Sequence, residues 1–139
     1  MQDPTTITLF SLILLPLMLV AAIGVHRSMI TFTSPKKPNS FAPTGEDVSA
    51  FAVRLARVHA NCYEFLPFAL AALLFAVATD STHLTNGLAY YLLAARLGQS
   101  TVHLLSTSNV AVMLRFGLFL VQFVILAVWS LTFLGILAA

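Results

Sequence analysis

Four runs of this chain are each long and apolar enough to cross a lipid bilayer, and together they take up most of its 139 residues. A spanning helix needs about 20 consecutive, mostly apolar residues. The runs cover about 4–28, 46–79, 82–107 and 110–137, and they leave one sizeable connection, a Pro-rich stretch over about 30–45. Charged residues make up 9% of the sequence, against about 25% in a soluble domain. The expected fold is all-α: an integral membrane four-helix bundle forming one domain over residues 1–139.

Local signals set the expected helix ends. Asp3 suits an N-cap and Pro4 the first helical position. Pro16 removes a backbone hydrogen bond inside the first helix and should bend it. Thr44 and Asp47 have capping-box-like spacing before the second helix, and Asn109 suits the cap of the fourth. A second helix of about 34 residues would run roughly 50 Å. That exceeds the ~30 Å hydrocarbon core, so its first turns should project from the membrane. Residues 1–6 lack a basic region, so the first run is expected to stay as a membrane helix and not to be cleaved as a signal peptide.

The polar residues narrow the function. A net charge of +2 is too small to suggest nucleic acid. The single cysteine, Cys62, forms no disulfide within the chain. The four histidines, His26, His59, His83 and His103, lack metal-ligand spacing, so no metal is expected. Arg27, Lys36, Lys37, Arg54, Arg57 and Arg115 gather at one end of the bundle, whereas Asp3, Asp80 and His83 mark the other. The positive-inside rule then predicts a cytoplasmic Pro-rich loop with both termini outside.

Depth along each helix, at 1.5 Å per residue from the outer end, matches polar groups across helices. Glu64 and Arg96 both lie roughly 21–22 Å in, Asn61 and Gln99 roughly 25–27 Å, and Arg57, His103 and Arg115 roughly 31–33 Å. Arg54, Arg57, Asn61, Glu64 and Phe68 follow helical 3,4 spacing and make one stripe; Arg96, Gln99 and His103 make another. Pointed at lipid, each charge would cost about 2.5–3.5 kcal/mol. The stripes are therefore expected to face each other or a neighbouring subunit, as a polar cup open to the cytoplasm. Glu64 and Arg96 read as a structural ion pair, with or without a second role. Arg54, Arg57 and Arg115 read equally as interfacial anchors, and Gln99 and His103 as hydrogen bonds between helices. Intramembrane ionisable groups that converge mark a functional site by default.

The stretch "RVHANCYEFLP", residues 57–67, carries Arg-x-x-x-Asn-x-x-Glu and a proline on the second of four helices. It resembles the MAPEG family, the membrane-associated proteins in eicosanoid and glutathione metabolism, which include microsomal glutathione transferases. The resemblance implies a homotrimer that binds glutathione between subunits near the cytoplasmic side. It places Arg27, Arg54, Arg57, Asn61, Glu64, Gln99 and His103 at glutathione-binding positions, and Arg115 on the catalytic arginine that stabilises the thiolate. Phe65, Phe116 and Phe119 stand where eicosanoid-forming branches carry Tyr, Ser and Tyr. These departures argue against specialised eicosanoid chemistry. The expected activity is that of a transferase or peroxidase using glutathione as co-substrate and a small apolar electrophile taken from membrane lipid. Two alternatives stay open: a non-catalytic, lipid-binding scaffold of the same fold, and a carrier of small anions.

Overall fold

The computed structural model describes residues 3–137 and contains four long α-helices joined by short connections. Helix α1 spans Pro4–Thr33, α2 Ala50–Ala78, α3 Asn86–Leu105 and α4 Asn109–Phe133. A single 3-10 turn, Thr82–Leu84, precedes α3. Helix α1 packs chiefly on α2, and α3 on α4, while α1 also crosses α3. Direct packing between α2 and α4 is sparse, and that side of the bundle holds the grooves described below.

Helix α1 begins where the sequence indicates. Asp3 Oδ1 accepts from the Thr6 amide at 2.8 Å. The helix continues past the apolar run because its last turn is satisfied locally. Thr31, Thr33 and Ser34 each donate a hydroxyl to the carbonyl four residues back. It stops at Ser34, which is extended because Pro35 follows and disfavours the helical conformation before it.

Helix α2 starts four residues later than expected, and its cap is Ser49, whose side chain accepts from the Ala52 amide at 3.1 Å. The Thr44–Asp47 box does not form. Gly45 takes a positive φ of 74° and packs so closely on Ala52 that an added Cβ would lie 2.8 Å from its backbone. Asp47 is diverted to the loop. It accepts from the Ala42 amide at 3.0 Å and pairs with Lys36 at 2.7 Å. The Lys36 ammonium, together with the Ala42 amide, holds the Asp47 carboxyl below its ordinary pKa.

The tight α2–α3 connection turns on Asp80, with a positive φ of 53°. The Ser81 amide reaches back to the Ala76 carbonyl at 2.9 Å and closes the helix end. The predicted third helix is thereby split into the 3-10 turn and α3. The start of α3 is tied to α1: Asn86 Oδ1 accepts from the Thr5 amide and hydroxyl at 3.1 and 2.7 Å. Thr85 and Thr5 also share a hydroxyl bond of 2.6 Å. At α4 the cap is Ser108, bonded to the Ala111 amide, and not Asn109. Helix α4 ends before Leu137 because Gly135, at φ 71°, reverses the chain and lets the Ile136 amide bond the Leu131 carbonyl at 2.9 Å.

Helices α1, α2 and α4 are each long and apolar enough to cross a membrane. Helix α3 has 20 residues, a length of about 30 Å, but it is more polar. It turns those groups inward: Arg96, Gln99 and Ser100 are buried, while Tyr90, Tyr91, Leu97 and Leu105 are exposed. A bundle with apolar groups outside and an arginine inside is built for lipid surroundings.

Candidate functional site

The α2–α4 side carries two adjoining grooves. The polar one is lined by Asn61 from α2, Gln99 and His103 from α3, and Arg115 from α4, with Val112, Phe116 and Phe119, and has a volume of about 270 Å³. The apolar one, of about 480 Å³, lies further along α2 and α4. Phe65, Phe68, Phe119, Phe123, Leu126, Ala127 and Ser130 line it, with Asn61 and Glu64 at its polar end. Asn61 and Phe119 belong to both. Phe119 stands edge-on to Phe65, with ring centroids 5.7 Å apart.

Behind this aromatic pair lies a buried polar network. Arg96 is 1% exposed. Its Nη1 donates to Gln99 Oε1 at 3.0 Å, and its guanidinium carbon stands 5.4 Å from the Phe65 ring centre. Its Nε and Nη2 have no hydrogen-bond partner among the described residues. Gln122 on α4 donates to the same Gln99 Oε1 at 3.0 Å and to the Leu118 carbonyl at 2.9 Å. Gln99 in turn donates to the Arg115 carbonyl at 3.4 Å.

The structure therefore brings together four of the sequence-derived site residues: Asn61, Gln99, His103 and Arg115 line one groove. Glu64 lines the neighbouring groove. Arg57 is exposed on the surface of α2. The expected Glu64–Arg96 ion pair does not form; among the described residues the ion pair is Lys36–Asp47. Equal depth was not enough to join the two. Phe65 takes the inward position on α2 and covers the guanidinium, leaving Glu64 exposed. Two further arginines are engaged away from the groove. Arg27 donates to the Ala42 carbonyl at 3.0 Å and stands over Phe41. Arg54 donates to the Leu104 carbonyl at 2.7 Å, near the end of α3. Gln122 escaped the sequence reading. The signal was available: it is the one amide in the interior of an apolar helix, two turns from Arg115 and on the same face.

Compared with known proteins, the sequence matches the MAPEG family over residues 5–135. This chain belongs to the MAPEG family. No curated protein and no solved structure gives a match. As a MAPEG protein, the chain is an integral, multi-pass membrane helical bundle. Members of the family are mostly glutathione-dependent transferases or peroxidases, or eicosanoid enzymes.

Proposed function

We propose that this MAPEG protein is a glutathione-dependent membrane transferase or peroxidase whose thiol site is the polar groove. The observation that carries this reading is the junction of the two grooves. A pocket holding an arginine, a histidine and two carboxamides opens beside an apolar one, with Asn61 and Phe119 common to both. A charged, water-soluble thiol and a lipid-soluble electrophile can thus meet at one partition.

The groove must supply an electrostatic effect. A free thiol of pKa about 8.5 is only a few per cent thiolate at neutral pH. Lowering that value by two requires roughly 2.7 kcal/mol of preference for the anion. Arg115, half-buried in a groove walled by Val112, Phe116 and Phe119, is placed to provide it. Asn61, Gln99 and His103 supply hydrogen bonds to the tripeptide, and the Glu64 carboxylate suits its ammonium. In the transfer reaction the sulfur lone pair forms a C–S bond, and the leaving group departs with its electron pair. With a lipid peroxide, two thiols are oxidised to a disulfide as the peroxide becomes an alcohol and water.

The polar groove is small for a tripeptide, since ligand sites commonly measure about 300–1,000 Å³. A second protomer would complete it. Arg57, Ala60, Glu64, Pro67 and Ala71 follow 3,4 spacing along α2 and are all exposed. Small side chains on such a face let membrane helices approach closely. We infer a homotrimer joined along this face, with the Pro-rich loop cytoplasmic and both termini outside. Arg27 would reach the thiol site only from a neighbouring protomer.

Isothermal titration of the purified protein with glutathione tests the reading directly. Saturable binding, with thiolate absorbance appearing at neutral pH, is the expected result. Absence of binding would favour a lipid-binding scaffold with its ligand in the apolar groove.

A further inference from the structure

Gln122 lines neither groove and is 0% exposed, yet it holds a residue that does line one. We propose that Gln122 is a positioning residue: it fixes the Gln99 amide so that Nε2–H faces the polar groove and donates to the bound sulfur. The identity of the acceptor rests on the thiol-site reading above. The orientation of the amide does not.

The two ends of the network cannot exchange roles. The Arg96 guanidinium only donates, and the Leu118 carbonyl only accepts. The Leu118 carbonyl takes one hydrogen of Gln122 Nε2, which fixes that amide and aims its second hydrogen at Gln99 Oε1. Arg96 Nη1 aims at the same oxygen from the other side. Turning the Gln99 amide over would set its N–H groups against two donors in a buried site, where unmet donors are costly. Gln99 Oε1 is therefore occupied. Nε2 is left with one long bond, 3.4 Å to the carbonyl of Arg115, a residue that lines the same groove as Gln99.

An amide held this way discriminates. It offers a neutral donor next to the Arg115 cation, so the groove favours an acceptor at that point, and a thiolate over a thiol. A glutamine free to rotate would offer its oxygen as readily and lose that preference. Gln122 thus acts on the sulfur through Gln99 without touching it.

The test uses full-length trimer with glutamine labelled by ¹⁵N, since the sequence has only Gln2, Gln99 and Gln122. In Gln122→Met, the Gln99 side-chain amide should move in chemical shift and exchange with water at least tenfold faster, with or without glutathione. The pKa of bound glutathione, read by thiolate absorbance, should rise by roughly 0.7, a fivefold fall in the thiolate-to-thiol ratio. In a Gln99→Met background the second substitution should cause no further rise. An unchanged Gln99 amide, or an equal pKa rise in both backgrounds, overturns the proposal. A wild-type protein without a glutathione thiolate overturns the thiol-site reading instead, and the amide signals still decide the orientation. Should Gln122→Met fail to assemble, Gln122→Glu serves. Its carboxylate cannot donate to Gln99; because its charge shifts a nearby thiol pKa in either background, this variant is read by the Gln99 amide signals alone, with the outcomes given for them.

Discussion

Arg115 reaches the polar groove from the second turn of α4, on a helix otherwise free of charge. An arginine there can anchor the helix at the interface or favour a thiolate, and substitution separates the two roles. Arg115→Ala should leave the protein folded and keep most of the glutathione affinity. It should raise the bound thiol's pKa toward the free value of about 8.5 and slow conjugation of a model electrophile at neutral pH. Raising the pH toward that value should recover part of the loss. Thiolate absorbance and conjugation rate, followed against pH, check this; an unshifted profile assigns Arg115 to anchoring. Glu64 now carries a sharper expectation than its spacing alone supported. It is exposed on the protomer and has no bond to Arg96, so Glu64→Gln should shift the unfolding free energy of the protomer, as distinct from trimer dissociation along the α2 face, by less than about 0.5 kcal/mol. Glutathione affinity should fall by more than the ~1 kcal/mol of one neutral hydrogen bond. Calorimetry showing unaltered affinity removes Glu64 from the site. Level and spacing grouped Asn61, Gln99, His103 and Arg115, and these four line one groove, but they grouped Arg57 with them and it does not. Which of two adjacent residues turns inward was not legible in the sequence. A rotation of α2 by a fraction of a turn decides whether Glu64 or Phe65 covers Arg96, and hydrophobic spacing fixes a helix face only to within such a fraction.

At the level of elements, helix existence followed from apolar length, whereas helix ends depended on side chains competing for the same backbone groups. Asp47 illustrates the competition: its carboxylate serves Lys36 and Ala42 in the loop, and Ser49 caps α2 in its place. Because the folded state holds the Asp47 carboxyl below its ordinary pKa, the clasp contributes fully above about pH 4. Its contribution is lost as pH falls through the lowered folded value. Amide exchange at Ala42 should therefore accelerate in acid beyond the intrinsic trend, and Asp47→Asn should abolish that pH dependence. The α1–α3 tie gives a second expectation. Asn86→Ala deprives the Thr5 amide and hydroxyl of their shared acceptor. It should cost about 1–3 kcal/mol, read as a lowered thermal midpoint in detergent.

For the whole molecule, the proposed trimer rests on the α2 face that a single protomer leaves exposed, and the proposed orientation on the placement of Lys and Arg. Native mass spectrometry in mild detergent should show trimers. Replacing Ala60 and Ala71, both exposed on α2, with leucine should shift the population toward monomer, because bulk on that face keeps helices apart. Only monomer in several mild detergents would count against the assembly. A cysteine placed at Ser81 should react with an impermeant reagent from outside, and one placed at Asn39 should not; native Cys62 is buried and gives little background. The four-helix plan and the inward turn of Arg96 and Gln99 on α3 were readable because lipid penalises a charge placed on its own side, whereas Arg57 and Glu64 of the α2 stripe lie exposed on the protomer. The Arg96–Gln99–Gln122 network was not, because it joins α3 to α4 through one amide that no spacing rule couples to the others.

The apolar groove opens sideways between α2 and α4, where the rings of Phe68 and Phe123 are exposed. On the proposed function, a reactant using that opening is delivered by the bilayer and not by the aqueous phase. Its effective concentration is then its mole fraction in lipid. Adding inert phospholipid at fixed total reactant dilutes it in two dimensions and slows turnover, although the molar concentration in the tube changes little. A Michaelis constant quoted in molar units for this protein would describe the partition of the reactant as much as its fit to the groove.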